Sequence, residues 1–288
     1  INVERFARGV MTKATDAGEL AYFDTVVGTD SHTTTANGIG VLSWGVGGIE
    51  AEAAALGQPI TTLVPQVVGV HLAGELRDGV SAMDAALTFA QMLRAKGVVG
   101  KFVECFGDGV ATLSATQRAC IANMTPEYGC TCTLFPVDDR TLEYLLLTGR
   151  DKEQVALVEA YAKAQGMWND GASRVYSEVL ELNLSDVECS LAGPSRPHDR
   201  FARSDARSRF NAICADRKLD MDKRVAVNFM GTEYELTHGA IAIAAVTSCT
   251  TATDPAMMLA CGLVAKHARE RGLLAKPWVK RVMAPGSH

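Results

Sequence analysis

Residues 67–106 read VVGVHLAGELRDGVSAMDAALTFAQMLRAKGVVGKFVECF, and they decide the fold class because they predict a strand, a helix and a second strand. The first strand, Val67–Leu76, opens with a Val-rich run that favours extended backbone. Ala82–Lys96 spaces Ala, Leu, Phe and Met at helical intervals, and Gly97 follows it as a typical helix end. Lys101–Phe106 supplies the second strand. A unit of this kind favours two parallel strands covered by a helix.

The alternation of strands and helices continues on both sides of this unit. Further strands are predicted at Asp24–Gly28, Cys130–Val137, Val175–Leu184, Val225–Phe229 and Ile241–Val246. Further helices are predicted at Gly48–Leu56, Ser114–Met124, Arg140–Leu147, Asp151–Gly166 and Pro255–Arg271. Thr29–Asn37 is expected to be a polar loop, and 194–224 a mixed-charge connection or surface arm. The whole pattern predicts an α/β protein with largely parallel sheets.

Composition excludes several classes of protein. The chain has 288 residues, 48% of them hydrophobic and 21% charged, as in soluble globular proteins. Its net charge of −5 argues against a general nucleic-acid binder, and no apolar run reaches the roughly 18 residues of a membrane span. The start, INVER, has neither an initiator Met nor an apolar signal core, which indicates an internal beginning. Eight scattered cysteines suit a reducing compartment, either the cytoplasm or an organelle matrix.

Two short polar segments carry residues that could perform chemistry. Asp30, Ser31 and His32 follow the end of a predicted strand, where α/β proteins place ligand groups. Such a set can orient an imidazole, bind a carboxylate and move a proton, although Asp and Ser are also ordinary turn formers. Asn123 and Glu127 flank Pro126 in a predicted loop, where a Glu could be a general acid–base group or a partner in a metal site, although an ordinary exposed Glu is commoner.

The remaining candidates are cysteines and one glycine-rich stretch. Cys249 lies in a loop between a predicted strand and a helix, a place suited to a thiolate ligand or nucleophile, although a lone cysteine is usually a small buried hydrophobe. Cys130 and Cys132 project from one face of a predicted strand and could approach a metal, but buried thiols are the commoner outcome. The glycine-rich residues 38–48 could bind an anion before a helix, while close packing explains them more simply. His71, inside an apolar strand, is expected to be structural.

Six segments, in order along the chain, carry a combined signature: GTDSHTTTANGIGVLSWGVGGIEAEAAALGQP (28–59), KFVECFGDGV (101–110), IANMTPEYGCTCTLFPVD (121–138), TGRDKEQVALVEAYAKAQGMW (148–168), AAVTSCTTATDP (244–255) and LLAKPWVKRVMAPGS (273–287). Together they resemble the aconitase family, and they are nearest to its branch of bacterial aconitase A and cytosolic iron regulatory protein. The resemblance is weakest in the Arg-rich stretch 195–224.

This resemblance implies three-layer α/β/α domains: the later part of a first domain at 1–64, a second at 65–180 and the start of a third at 181–288. It implies a hydro-lyase that dehydrates citrate to cis-aconitate and rehydrates it to isocitrate, a step of the tricarboxylic acid cycle. A [4Fe–4S] cluster is the expected cofactor and acts as a Lewis acid. The small tricarboxylate is the expected partner, with neither membrane nor nucleic acid.

Residue by residue, the resemblance makes Asp30, His32 and Glu127 catalytic. It makes Ser31 a contact of the substrate carboxylate, together with Asp30 and His32. Asn123 is implied to lie next to the cluster, and Cys249 to be the first of three cluster ligands. The other two ligands are expected beyond His288, so the isolated chain is expected to be inactive.

One local departure and several alternatives stay open. Thr251 stands where family members usually have Asn, which leaves the role of that position in question. A 2-methylcitrate/2-methylisocitrate dehydratase is the nearest alternative enzyme. A non-catalytic remnant and an RNA-regulatory relative are alternatives of a different class.

Overall fold

The structure is a computed structural model that describes residues 2–171, 174–246 and 254–284. Its helices are α1 (Val3–Phe6), α2 (Gly48–Ala55), α3 (Ala82–Lys96), α4 (Gly109–Thr112), α5 (Ala115–Asn123), α6 (Asp139–Leu147), α7 (Lys152–Ala164), α8 (Ala206–Asp216) and α9 (Pro255–Glu270). Short 3₁₀ helices span Ser31–Ile39, Thr125–Tyr128, Leu184–Asp186 and Arg203–Asp205. None of the helices described is both long enough and apolar enough to cross a membrane.

The strands form one larger sheet and several two-stranded pairs. They are β1 (Val10–Thr15), β2 (Gly18–Phe23), β3 (Thr25–Gly28), β4 (Leu42–Gly45), β5 (Val67–Ala73), β6 (Phe102–Phe106), β7 (Cys132–Leu134), β8 (Glu178–Asn183), β9 (Ser190–Ala192), β10 (Arg200–Ala202), β11 (Arg224–Phe229), β12 (Thr232–Thr237), β13 (Ile243–Val246) and β14 (Lys280–Met283). The larger sheet has the order β7-β6-β5-β8, and all its neighbouring strands are parallel. The predicted α/β class is therefore confirmed.

The main core lies between one face of this sheet and the helices α3 and α5. Val68, Val70 and Leu72 alternate along β5 and pack in one buried cluster with Phe89 and Leu93 of α3. Alternation of this kind places every second strand residue on the same face, so burial of one side leaves the other for different contacts. A strand–helix–strand unit thus holds the centre of the molecule, as residues 67–106 predicted.

The opposite face of the sheet carries polar and aromatic side chains. The Phe106 ring lies 5.1 Å from that of His71 and 4.9 Å from that of Tyr176, measured between centroids. Glu104 on the same face forms an ion pair with Arg174, with 3.7 Å between Glu104 Oε1 and Arg174 Nε. The segment that leads into β8 therefore covers this face beside β5 and β6.

Two sequence predictions were wrong. The expected polar loop Thr29–Asn37 is largely the 3₁₀ helix Ser31–Ile39, in which Thr33–Ile39 are buried. Its threonine and asparagine side chains bond to backbone within the segment and to α5, so polar composition did not mean exposure.

The expected connection 194–224 contains β10 and α8, although most of α8 is exposed to solvent. The hairpin of β1 and β2 was not predicted at all.

Candidate active site

The first predicted group forms at the start of the 3₁₀ helix that follows β3. Asp30 caps this helix: its Oδ1 accepts a hydrogen bond from the backbone N–H of His32 at 3.0 Å. Thr33 Oγ1 donates to the Asp30 carbonyl at 2.6 Å, which closes the same turn from the other side. The helix ends at Gly40, whose φ of 79° lies in the left-handed region that glycine adopts without strain.

His32 meets the second predicted segment through its ring. His32 Nδ1 lies 3.0 Å from Oδ1 of Asn123, although the two residues are 91 positions apart in the chain. Asn123 is the last residue of α5 and is 2% exposed. Its backbone carbonyl accepts a hydrogen bond from Thr34 Oγ1 at 3.2 Å. The 3₁₀ helix and the end of α5 thus hold one another by both side chain and backbone.

Asp30 supplies a fixed negative charge at this site. The hydrogen bond from the His32 backbone N–H lowers the pKa of the Asp30 carboxyl below its ordinary value, and burial opposes this only in part. Asp30 is therefore a carboxylate at neutral pH, and it orients the backbone that carries His32. Ser31, between them, is exposed at the first position of the helix.

Glu127 is close to Asn123 in sequence, but its side chain does not take part in the hydrogen bonds of this group. It lies in the 3₁₀ turn Thr125–Tyr128, which begins two residues after Asn123. Buried Tyr128 anchors that turn through its hydroxyl, 2.6 Å from Thr133 Oγ1. Glu127 itself is exposed, and within the described ranges its side chain makes no hydrogen bond or ion pair. A catalytic role for Glu127 stays a prediction.

The described residues do not by themselves supply the ligands of an iron–sulfur cluster, which is held by several thiolates. Within 2–171, 174–246 and 254–284, no group of three or more His, Cys, Asp or Glu could hold a metal ion. Burial raises the pKa of Cys130 to about 12, and it also raises the pKa of Cys105 and of Cys132. These three are protonated thiols at neutral pH, unlike cluster ligands. Cys249, the predicted ligand, lies outside the described residues.

Cys130 and Cys132 form no metal site in the structure. Cys130 precedes β7 and does not lie in it, and its one S–H is shared between two carbonyl oxygens, that of Lys101 at 3.0 Å from Sγ and that of Cys132 at 3.1 Å. The two residues therefore do not share a strand face, and both pack as small buried groups.

Sequence reasoning missed the residues that assemble the site. Thr35 accepts a hydrogen bond from Asn123 Nδ2 at 2.7 Å, and Thr34 reaches the backbone of the same residue. Asn37 bonds Ser43 twice, with its Oδ1 accepting from the backbone N–H and its Nδ2 donating to the carbonyl, which ties the helix to β4. The one available signal was the run of hydroxyl and amide side chains from Thr33 to Asn37, a composition that also describes exposed loops.

The chain matches the model of the aconitase family (aconitate hydratase) over residues 1–288. Aconitate hydratase A of Legionella pneumophila is 52% identical over 289 residues, which cover 100% of this chain and 32% of that protein. The proteins of that name from Escherichia coli and Salmonella typhimurium are 52% and 53% identical, again over 100% of this chain and 33% of theirs. The chain thus spans about a third of the length of these curated relatives. It belongs to the aconitase family.

Proposed function

We propose that this chain forms part of an aconitate hydratase, a hydro-lyase that interconverts citrate and isocitrate through cis-aconitate. The observation that carries the proposal is the contact of His32 with Asn123, because it joins two of the segments that resemble the family into one polar site. The names of the relatives support the same activity, although the chain covers only a third of their length.

The residues of this chain would each have a separate part in that reaction. Dehydration and rehydration require a proton to leave and to return, and an imidazole such as that of His32 is a group that can hold or pass one. Asp30 keeps the turn that carries His32 in place through the 3.0 Å backbone hydrogen bond. Ser31, exposed at the same turn, can donate its hydroxyl to a substrate carboxylate. Glu127 would act from the neighbouring turn.

We extend the proposal to the cofactor, the domain boundaries and the cellular location that the family resemblance implies. A [4Fe–4S] cluster, with Cys249 as one ligand, is the cofactor of the proposed enzyme. The chain would comprise the later part of one domain at 1–64, a second domain at 65–180 and the start of a third at 181–288. A cytoplasmic or mitochondrial-matrix location fits the eight scattered cysteines.

The proposal is tested by replacing His32 with Gln in the full-length enzyme. We expect turnover of citrate to isocitrate to fall roughly 100-fold or more, the scale on which acid–base groups contribute. The stability cost should be about 1 kcal/mol, because one hydrogen bond to buried Asn123 is lost. The measurement is the initial rate of isocitrate formation together with a thermal melt.

His71→Gln is the matched control. The structure pairs His71 Nδ1 with Glu181 Oε2 at 2.5 Å, but the two side chains are 37% and 72% exposed. An exposed pair contributes about 0–1 kcal/mol, so the control should change both turnover and melting temperature little. Full activity in His32→Gln, or its loss in His71→Gln, would refute the placing of the active site.

A further inference from the structure

Three hydrogen bonds form a closed ring that begins and ends at His32. His32 Nδ1 lies 3.0 Å from Asn123 Oδ1, and Asn123 Nδ2 donates to Thr35 Oγ1 at 2.7 Å. Thr35 Oγ1 in turn donates to the backbone carbonyl of His32 at 2.7 Å. One threonine therefore contacts both the backbone of the histidine and the amide that binds its ring.

The direction of each bond in this ring follows from the Thr35 hydroxyl. A hydroxyl has one hydrogen, and the His32 carbonyl can only accept, so the Thr35 proton is used there. Towards Asn123 the Thr35 oxygen can then only accept, so it must face the NH₂ group of the amide. The amide oxygen consequently faces the ring, and His32 Nδ1 must supply the hydrogen between them.

We propose that Thr35 is a positioning residue that fixes the tautomer of His32, with the proton on Nδ1 and the lone pair on Nε2. Thr35 does not touch the ring itself; it acts through the amide of Asn123. The inference rests on the proposed function only for its catalytic meaning, since it puts the basic nitrogen of a catalytic histidine at Nε2. The tautomer itself is a property of this chain.

Because the ring is buried, reversing the direction of its hydrogen bonds would cost free energy. Thr35 and Asn123 are each 2% exposed, so water cannot replace a lost partner. A reversed amide would turn its NH₂ towards the ring and its oxygen towards Thr35, and it would take the threonine proton from the His32 carbonyl. A buried polar group that loses its hydrogen-bond partner destabilises the fold, and the bonds in a connected chain strengthen one another.

The test is the nitrogen spectrum of His32 in the present chain, labelled with ¹⁵N-histidine. Two-dimensional long-range ¹H–¹⁵N spectra at alkaline pH, where imidazoles are neutral, distinguish a pyrrole-type from a pyridine-type nitrogen. The chain has six histidines, and the signals of His32 are those missing from His32→Gln. We expect a pyrrole-type Nδ1 and a pyridine-type Nε2.

Three variants separate the proposed role from a merely structural one. Thr35→Val keeps the side-chain shape but removes the hydroxyl, and we expect His32 to lose its single-tautomer pattern. Thr35→Ser restores the hydroxyl and should restore the pattern. Thr34→Val removes a neighbouring buried hydroxyl that, among the described residues, bonds the Asn123 backbone carbonyl and not the side-chain amide, so it should leave the pattern unchanged.

Two results would overturn the proposal. One is a pyridine-type Nδ1 in the unaltered chain; the other is an unchanged His32 pattern in Thr35→Val with the remaining histidine signals in place. Because the spectra require no turnover, failure here leaves the hydratase assay of His32→Gln untouched, and failure of that assay leaves the tautomer result untouched.

Discussion

At the scale of single residues, buried Arg118 helps to fix the position of α5. It is 0% exposed, and its guanidinium binds both carboxylate oxygens of Asp138, at 2.8 Å and 2.6 Å. Its Nε and Nη2 also donate to the carbonyls of Leu113 and Val110. Asp138 also caps α6 by accepting from two backbone N–H groups. Arg118 lies five residues before Asn123, so this pair secures the helix that presents the amide to His32.

Arg118→Met should destabilise the chain by roughly 3–5 kcal/mol, because it leaves a buried carboxylate without its cation. Equilibrium denaturation in urea measures the change. Arg140→Met is the control on the same chain, since Arg140 pairs with Glu143 at the surface, where both side chains are about half exposed. That variant should lose less than about 1 kcal/mol. Equal losses in the two variants would contradict the importance of the buried pair.

At the scale of elements, the site depends on how closely the 3₁₀ helix Ser31–Ile39 approaches α5. A Cβ placed on Gly38 would lie 2.3 Å from the backbone nitrogen of Ala119 and 2.4 Å from its Cα. No side chain can be accommodated at that distance, and backbone cannot move aside as a flexible side chain could. Gly38 therefore allows the two elements to touch backbone to backbone, and this contact sets the spacing of His32 from Asn123.

Gly38→Ala should destabilise the chain by about 1–3 kcal/mol or more through overpacking at this contact. Thermal melting and urea denaturation both report it. Gly48→Ala serves as the comparison, because nothing lies within 4 Å of its added methyl group and Gly48 begins α2. Alanine favours helix over glycine, so this control should be neutral or slightly stabilising. Tolerance of Gly38→Ala would show that the two elements are further apart in solution.

At the scale of the whole molecule, burial is uneven along the chain. The main cluster draws its residues from positions 68–187, around the parallel sheet. Among the described residues after 188, the only buried side chains are Cys214 and Asp254. Helix α9 has no buried residue, and its Leu259 and Val264 are 71% and 69% exposed. Since burial of apolar surface is the main source of stability, the region around α9 is held less firmly than the sheet.

Hydrogen exchange should separate these regions within one experiment. Helices α3 and α9 have 15 and 16 residues, so they differ little in length but greatly in burial. We expect the backbone amides of α3 to exchange far more slowly than those of α9, because an isolated helix of this length is marginal in water. Mass spectrometry of peptides from the exchanged chain gives both rates. Equal protection would mean that another surface covers α9 in solution.

The sequence alone determined the parts of the fold whose signals are local. The predicted helix Ala82–Lys96 is confirmed to the residue, since Ser81 and Asp84 cap its start reciprocally and Gly97 ends it in the left-handed conformation. The strand β5 begins where predicted but ends at Ala73, because Gly74 turns the chain at a φ of 67°. Each of these features depends on neighbours within a few positions.

Only the tertiary structure decided how the candidate site is assembled. Nothing near His32 indicates that Asn123, 91 positions later, meets its ring, or that Thr35 binds the amide of that asparagine. The same hydroxyl and amide residues form an exposed loop when water supplies their hydrogen bonds. They form a buried helix when residues distant in sequence supply those bonds. Local sequence specifies which groups can form hydrogen bonds, but it does not specify their partners. The burial of these polar side chains and the direction of the bonds in the ring are therefore decided only by the folded chain.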